Sequence, residues 1–363
     1  MSAALDLSYV VPVRWRDGGP RQELASYLAE IAPLCAELIV VDGSPAEVFA
    51  ANGEAWGDFV THVPPLEDER WLMGKVSGVR TGVRLAAHER VVIADDDVRY
   101  DPEALRRTAG LLDGYDLVRP QNYFGSLPWH ARWDTARTLL NRCFGRDYPG
   151  TLAVRRSRLL ASGLYDGDVL FENLELIRTV RAAGGRDVAP LDLYVARTPP
   201  SAAHFWGQRT RQAYDDFALP PRMALWLAIV PLLARRPRLV PAAAFAATAL
   251  AERGRRRAGG AAFFPATSSL LAPVWVLERA VCAWLAVLQR LRFGGVRYGD
   301  SVIPLAAHSE RQLRRRLGKR AEFASEAGRE GEWDRRSNGA PPPTSTGSKT
   351  PASTGTWSRP SRG

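Results

Sequence analysis

The stretch VVIADDDVRY, residues 91–100, runs four apolar residues into Asp95, Asp96 and Asp97. Carboxylates crowded at the end of an apolar strand repel one another unless positive charge lies between them. A divalent cation can supply that charge, and hard cations prefer carboxylate oxygen. Asp95 and Asp97 are two residues apart, so an extended chain would turn both to one face. A cation held there could grip a diphosphate and neutralise it as a bond to it breaks. The same residues also suit a solvated acidic turn, with Asp97 or Asp101 capping the next helix.

The elements around this stretch alternate. LSYVVPV (7–13) is a short, β-branched, apolar run that predicts a buried strand, and ELIVVDGS (37–44) predicts a second one ending at Asp42. RVVIADDD (90–97) is the third and DLVRPQNYF (116–124) the fourth. Helical spacing marks 21–34 and 75–88, and 101–114 opens with Asp101 as cap, Pro102 at the first helical position and Glu103 in the first turn. This order predicts an α/β fold with a largely parallel sheet, whose ligands sit beyond the carboxyl ends of the strands. Asp42 and the three aspartates fall at such ends.

The chain has 363 residues and a net charge of +10. Its lysines are Lys75, Lys319 and Lys349, so nearly all of its basic side chains are arginine. A basic balance points to polyanionic partners: nucleotide phosphates, anionic lipid or nucleic acid. Cys35, Cys143 and Cys282 lie far apart, which argues against a disulfide framework or a paired metal-ligand spacing and fits a reducing compartment. The opening MSAALDLSYVVPV lacks a basic stretch followed by a long apolar core, so no signal peptide is expected.

From about residue 219 the character changes. Residues 223–234 and 239–251 are apolar and separated by arginines, and 261–289 is apolar except for Glu278 and Arg279. The first two are too short to span a bilayer, which takes roughly 20 residues. Arginines at both ends favour segments that dip into or lie in the interface. The third is long enough to cross, or it forms a buried amphipathic helix pair. Arginines cluster beside apolar segments rather than among exposed aromatics, which makes lipid a better partner than nucleic acid. The expected organisation is a catalytic domain over 1–218, a membrane-associated helical region over 219–300, a basic amphipathic helix over 301–327 and a disordered tail over 328–363, rich in Pro, Ser, Thr and Gly.

Taken together, VVPVR, LIVVDGS, GKVSGVRTGVRLAAHERVVIADDDV, GTLAVRRSRL, LFENLELIRTVRAAGG and HFWGQRTRQAYDD resemble the family 2 glycosyltransferases of the GT-A fold, over roughly residues 7–216. The basic, apolar segments that follow resemble membrane-associated members such as ceramide glucosyltransferases and processive polysaccharide synthases. The resemblance implies that Asp42 contacts the uracil of a UDP-sugar, that Pro12 and Arg14 line the nucleotide site and that Lys75 approaches the nucleotide. It implies that Asp95 faces the ribose or diphosphate and Asp97 binds Mn²⁺ or Mg²⁺, with Asp95 sharing the metal and Asp96 a weaker donor-site candidate. Gln208 and Arg211 match the family's Q-x-x-R-W motif near the acceptor and diphosphate, although Gln212 replaces its tryptophan. His204 and Trp206 are then alternative acceptor-pocket residues.

The family's base is an Asp after Glu at the start of a helix. Here Glu172 is followed by Asn173, and an amide cannot accept the proton. Glu172 is then the base, or activity is altered or lost. Glu172 and Glu175 also suit a helix N-terminus as acids alone. The resemblance implies an inverting transfer from a nucleotide sugar to a lipid or lipid-linked glycan at the cell membrane, with the catalytic domain in the cytoplasm. The alternative is a degenerate relative that binds nucleotide or scaffolds a partner. A phosphatase of the haloacid dehalogenase type also uses an apolar strand ending in D-x-D, but there the motif closes the first strand, and here two strands precede it.

Overall fold

In the computed structural model, residues 4–145, 147–298 and 301–319 are described. Residues up to Leu317 form one compact unit, which takes in the apolar helices beyond 218. The tail expected at 328–363 and the end of the helix expected at 301–327 lie outside the described residues; within them the helix begins only at 310, because Ser301–Ile303 instead pairs as a strand with Val296–Tyr298.

The main sheet has seven strands. Its centre is β1 (Leu5–Val13), paired in parallel with β2 (Cys35–Asp42) and β4 (Arg90–Ala94). Short β3 (Thr61–Val63) extends it beyond β2, also in parallel. On the other side β8 (Thr151–Arg155) runs antiparallel to β4 and to β6 (Leu117–Val118), and β9 (Asp187–Val188) closes the edge. The sheet is therefore mixed, with its parallel strands where the sequence predicts them.

β1 is buried on both faces from Leu7 to Val13, where its sequence is apolar but for Ser8. Val10 packs with Val76, Val79 and Val83 of α3 (Gly74–Leu85), while Tyr9 and Val11 face Leu24, Tyr27 and Leu28 of α1 (Arg21–Ile31). The α4 helix (Pro102–Leu111) starts as its sequence predicts: the Asp101 side chain accepts from the backbone N–H of Glu103 and Ala104.

Two expectations change. The run 116–124 is not one strand. Pro120 cannot donate to a ladder, so the chain breaks there. Leu117–Val118 stays in the main sheet, while β7 (Gln121–Phe124) joins a three-stranded sheet with β10 (Tyr194–Arg197) and β5 (Val98–Arg99). The third strand also stops at Ala94. Asp95–Asp97 form a turn closed by a hydrogen bond from Val98 N–H to Asp95 O, 3.0 Å, so their side chains are placed by a turn rather than by extended-chain alternation.

The apolar C-terminal segments fold as α9 (Pro220–Arg235), α10 (Val240–Arg256), α11 (Ala266–Leu270) and α12 (Ala272–Phe293). α9, α10 and α12 build a third core with Leu139 and Leu140 of α5 (Trp129–Phe144), in which Trp226 meets Trp275 edge to face at 5.7 Å. α10 and α5 approach closely at Gly254, where a β-carbon would stand 1.8 Å from the Leu139 carbonyl oxygen. Gly254→Ala must push two backbones apart and is expected to cost at least about 1–3 kcal/mol, the usual range for overpacking. Thermal unfolding reads this directly, and an unchanged midpoint would mean that α10 is not seated on α5.

Candidate active site

The turn after β4, the start of α3, the start of α7 (Glu172–Ala182) and the end of β10 meet at one place. Arg197, at the last position of β10, holds Asp97 with two nitrogens at 3.0 and 2.6 Å. One of those nitrogens is also 3.8 Å from Asp95. Both carboxylates therefore converge on a single guanidinium. Lys75 lies on the other side of Asp95, with its Nζ 2.6 Å from Asp95 Oδ1 and 2.9 Å from Glu172 Oε1.

Local structure explains the placement. Asp95 donates its N–H to Gly150 O at 3.0 Å, and Thr198 N–H donates to Asp97 O at 2.8 Å, so both ends of the turn are tied. Gly150 is a close approach: a β-carbon there would lie 2.8 Å from both Asp95 Oδ2 and the Arg197 Cζ. Glu172 is the first residue of α7, and the residues before it are held from far along the chain. Leu170 and Phe171 donate backbone N–H to Leu305 and Ala306, and buried Glu175 accepts from the backbone N–H of His308, with its other oxygen 2.8 Å from His308 Nδ1. Glu175 thus serves this strap and does not share the site with Glu172.

The electrostatics follow from the pairing. Burial opposes the charge on Lys75, but Asp95 and Glu172 outweigh it and hold its pKa well above the ordinary lysine value. Burial likewise opposes Arg197, and Asp97 and Asp95 reverse the effect. Asp96 points elsewhere: its Oδ2 accepts from the Trp15 indole at 2.6 Å, and burial pushes its carboxyl up to about 6 against that bond. Asp215, just after α8 (Ala202–Tyr214), has its carboxyl pushed up to about 8 by burial, with Arg279 opposing and the Glu172 charge adding.

The other predicted residues divide. Asp42 is fully buried. Its oxygens accept from Ser44 N–H and Asn52 Nδ2, with His62 Nε2 at 3.2 Å, and these bonds outweigh burial and lower its pKa. It caps the turn after β2 through Ser44, and Asn52 passes the support on to Arg21. Arg21 lines a shallow cleft of about 720 Å³ formed by Asp17–Glu23, Glu47 and Val48. Glu23 on its rim bonds Arg99 and Thr198, which flank the carboxylate cluster. Pro12 is buried within β1, and Arg14 is exposed beside Gly74. Gln208 bonds His204 and Gln212, and Arg211 lies over the Tyr298 ring at 5.2 Å. Burial, with Arg211 adding, lowers the pKa of His204. Asn173 donates to Pro149 O at 3.0 Å, a structural use of the amide.

Arg197, Trp15, Gly150 and Asp215 escape sequence reading. Only Asp215 carried a local signal, as the first of the paired acids after α8.

Among the described residues, no group of three or more His, Cys, Asp or Glu side chains is placed to hold a metal alone. Two converging carboxylates nevertheless suit a hard cation that takes one or two protein oxygens and completes its shell with phosphate and water. Asp95 and Asp97 would hold it.

No family model matches the chain, and no curated protein matches it. Among solved structures the chain is similar to a mannosyltransferase from Pyrobaculum calidifontis in complex with GDP-Man and Mn²⁺, at 19% identity over 78% of this chain and 88% of the other, with a TM-score of 0.49. It is also similar to glucosyl-3-phosphoglycerate synthase from Mycobacterium tuberculosis in complex with Mn²⁺, UDP and phosphoglyceric acid, at 19% identity over 57% and 76%, TM-score 0.38. A third is TarS from S. aureus in complex with UDP-GlcNAc, at 18% identity over 56% and 61%, TM-score 0.39. Identities this low leave the chemistry to be read from the side chains themselves.

Proposed function

We propose that this protein is a metal-dependent glycosyltransferase of the GT-A type, moving a sugar from a UDP-type nucleotide donor to an acceptor hydroxyl. The observation that carries the reading is the meeting of Asp95, Asp97, Lys75 and Glu172 in one cluster, with Arg197 across the two aspartates. When bound, Mg²⁺ or Mn²⁺ would supply Lewis-acid neutralisation of the departing diphosphate. Asp95 and Asp97 would hold that ion, while Lys75 and Arg197 sit as fixed cations beside the same carboxylates.

Glu172 is the base. It accepts the proton of the acceptor hydroxyl as that oxygen bonds to the anomeric carbon and the bond from that carbon to the diphosphate breaks. One displacement of this kind inverts the anomeric centre. Asn173, whose amide is engaged with Pro149, takes no part in proton transfer. The acceptor is lipid or lipid-linked glycan, and the protein works at the cell membrane with its catalytic face in the cytoplasm; the apolar, arginine-flanked helices support this placement.

The test is nucleotide release from a panel of UDP- and GDP-sugars by the purified full chain, with Mn²⁺, with Mg²⁺ and with EDTA. Metal-dependent hydrolysis of one donor is expected. Tight nucleotide binding with no turnover on any donor or acceptor would favour an inactive relative, and no binding at all would sink the reading.

A further inference from the structure

α12 is the one helix among the described residues long and apolar enough to cross a bilayer, at 22 residues. Its two sides differ. Trp275, Arg279, Cys282, Ala283 and Ala286 turn inward and are buried. Val274, Leu277, Val281, Leu285, Leu288 and Leu291 recur every three or four residues on the outer side, each 43–79% exposed. That spacing is a single helical stripe. An apolar surface this continuous marks an interaction site rather than ordinary scatter.

The inner side is bolted to the body of the protein by charge. Glu278 takes Arg209 of α8 through both oxygens, at 3.0 and 2.7 Å, and Arg279 pairs with Asp216 at 2.9 Å. Arg209 also holds Asp134 of α5 at 2.8 Å. A helix passing through a bilayer would have to carry these ions and their partners into hydrocarbon, where charge is costly. α12 therefore keeps its inner face on α8 and α5 and offers only the stripe.

α9 continues the surface. The Trp284 indole donates to Leu227 O at 3.2 Å, joining the two helices, and Leu225 and Leu232 of α9 are exposed, as is Phe245 of α10. Residues 220–251 contain no Asp or Glu. Their exposed charges include Arg235, Arg236 and Arg238 at the junction of α9 and α10, and Arg290 and Arg292 end α12. An acid-free apolar face bordered by arginine complements anionic headgroups over a hydrocarbon layer.

From this geometry we infer that the outer faces of α12 and α9 are a docking surface for one leaflet of an anionic phospholipid bilayer, which the chain enters without crossing. The inference rests on the membrane placement proposed above and gives it a surface and a depth. Its readout is lipid binding, so its failure leaves sugar-nucleotide turnover untouched and is distinguishable from failure of the transferase reading.

The experiment is flotation of the full chain with phosphatidylcholine vesicles, with and without phosphatidylglycerol. Binding is expected only with the anionic lipid and is expected to fall with salt. Val281→Glu with Leu285→Glu, and separately Arg235→Glu with Arg236→Glu and Arg238→Glu, are each expected to weaken it about tenfold or more. Unchanged thermal unfolding shows that the variants fold, and the arginine set keeps the test decisive if the stripe variant does not. Binding that resists alkaline carbonate, with a fragment shielded from protease inside the vesicles, would mean that α12 crosses and overturn the inference. So would equal binding to neutral vesicles. A dimer dispersed by Val281→Glu in a protein that never floats would assign the face to a second copy instead.

Discussion

Asp97→Asn is expected to lower metal-dependent turnover of the sugar nucleotide by roughly 10²–10³-fold, the scale seen when one preorganised electrostatic group is removed from a transition state. The substitution keeps the side chain's size and removes its charge. It also costs Arg197 its two-nitrogen partner, leaving the more distant Asp95 at 3.8 Å. Two losses are therefore folded together, and Arg197→Lys separates them. A lysine keeps a positive charge but cannot make the forked contact. If Asp97 matters chiefly as a metal ligand, Asp97→Asn raises the Mn²⁺ concentration needed for half-maximal turnover, while Arg197→Lys leaves that midpoint near wild type and slows turnover. Wild-type turnover in Asp97→Asn at limiting Mn²⁺ would remove the metal from the reading.

Glu172→Gln carries the second large effect. Losing a positioned base slows proton transfer by about 10²–10⁴-fold. The loss is expected in transfer to the acceptor, with nucleotide affinity retained, because Lys75 keeps its contact with Asp95. Asp215→Asn is the contrast. Its carboxyl, pushed up to about 8 by burial, is mostly protonated at neutral pH and so cannot accept a proton readily. Were Asp215 the base, its removal would carry the loss, activity would climb as pH rises through about 8, and Glu172→Gln would be mild.

The parts legible in the sequence were those written locally. β1, β2 and α4 follow from apolar runs and from the Asp101–Pro102 start, each set within a few neighbouring residues. Lys75, Asp95, Asp97 and Glu172 were each singled out, and the fold brings all four together. Arg197 was invisible because its role depends on β10 pairing with β5, which lies about a hundred residues earlier. The surroundings of Asp42 were hidden for a related reason. A strand-end aspartate reads the same whether it faces solvent or is enclosed, and only the arrival of Asn52 and His62 encloses it. The long apolar run at 261–289 was ambiguous in composition. Its two charges, Glu278 and Arg279, settle how the helix is held, through Arg209 and Asp216.

The strap at 305–308 has a bearing on biosynthesis. Leu170 and Phe171 receive their backbone partners from Leu305 and Ala306, and Glu175 from His308. A ribosome delivers those partners about 130 residues after Glu172 has left it, and domains fold from the N-terminus as they emerge. The main sheet can form early, but the start of α7 gains its last constraints only when the chain is nearly made. On the proposed function, Asp95 and Asp97 would thus emerge well before Glu172 gains its last constraints, and activity would await completion of the C-terminal region.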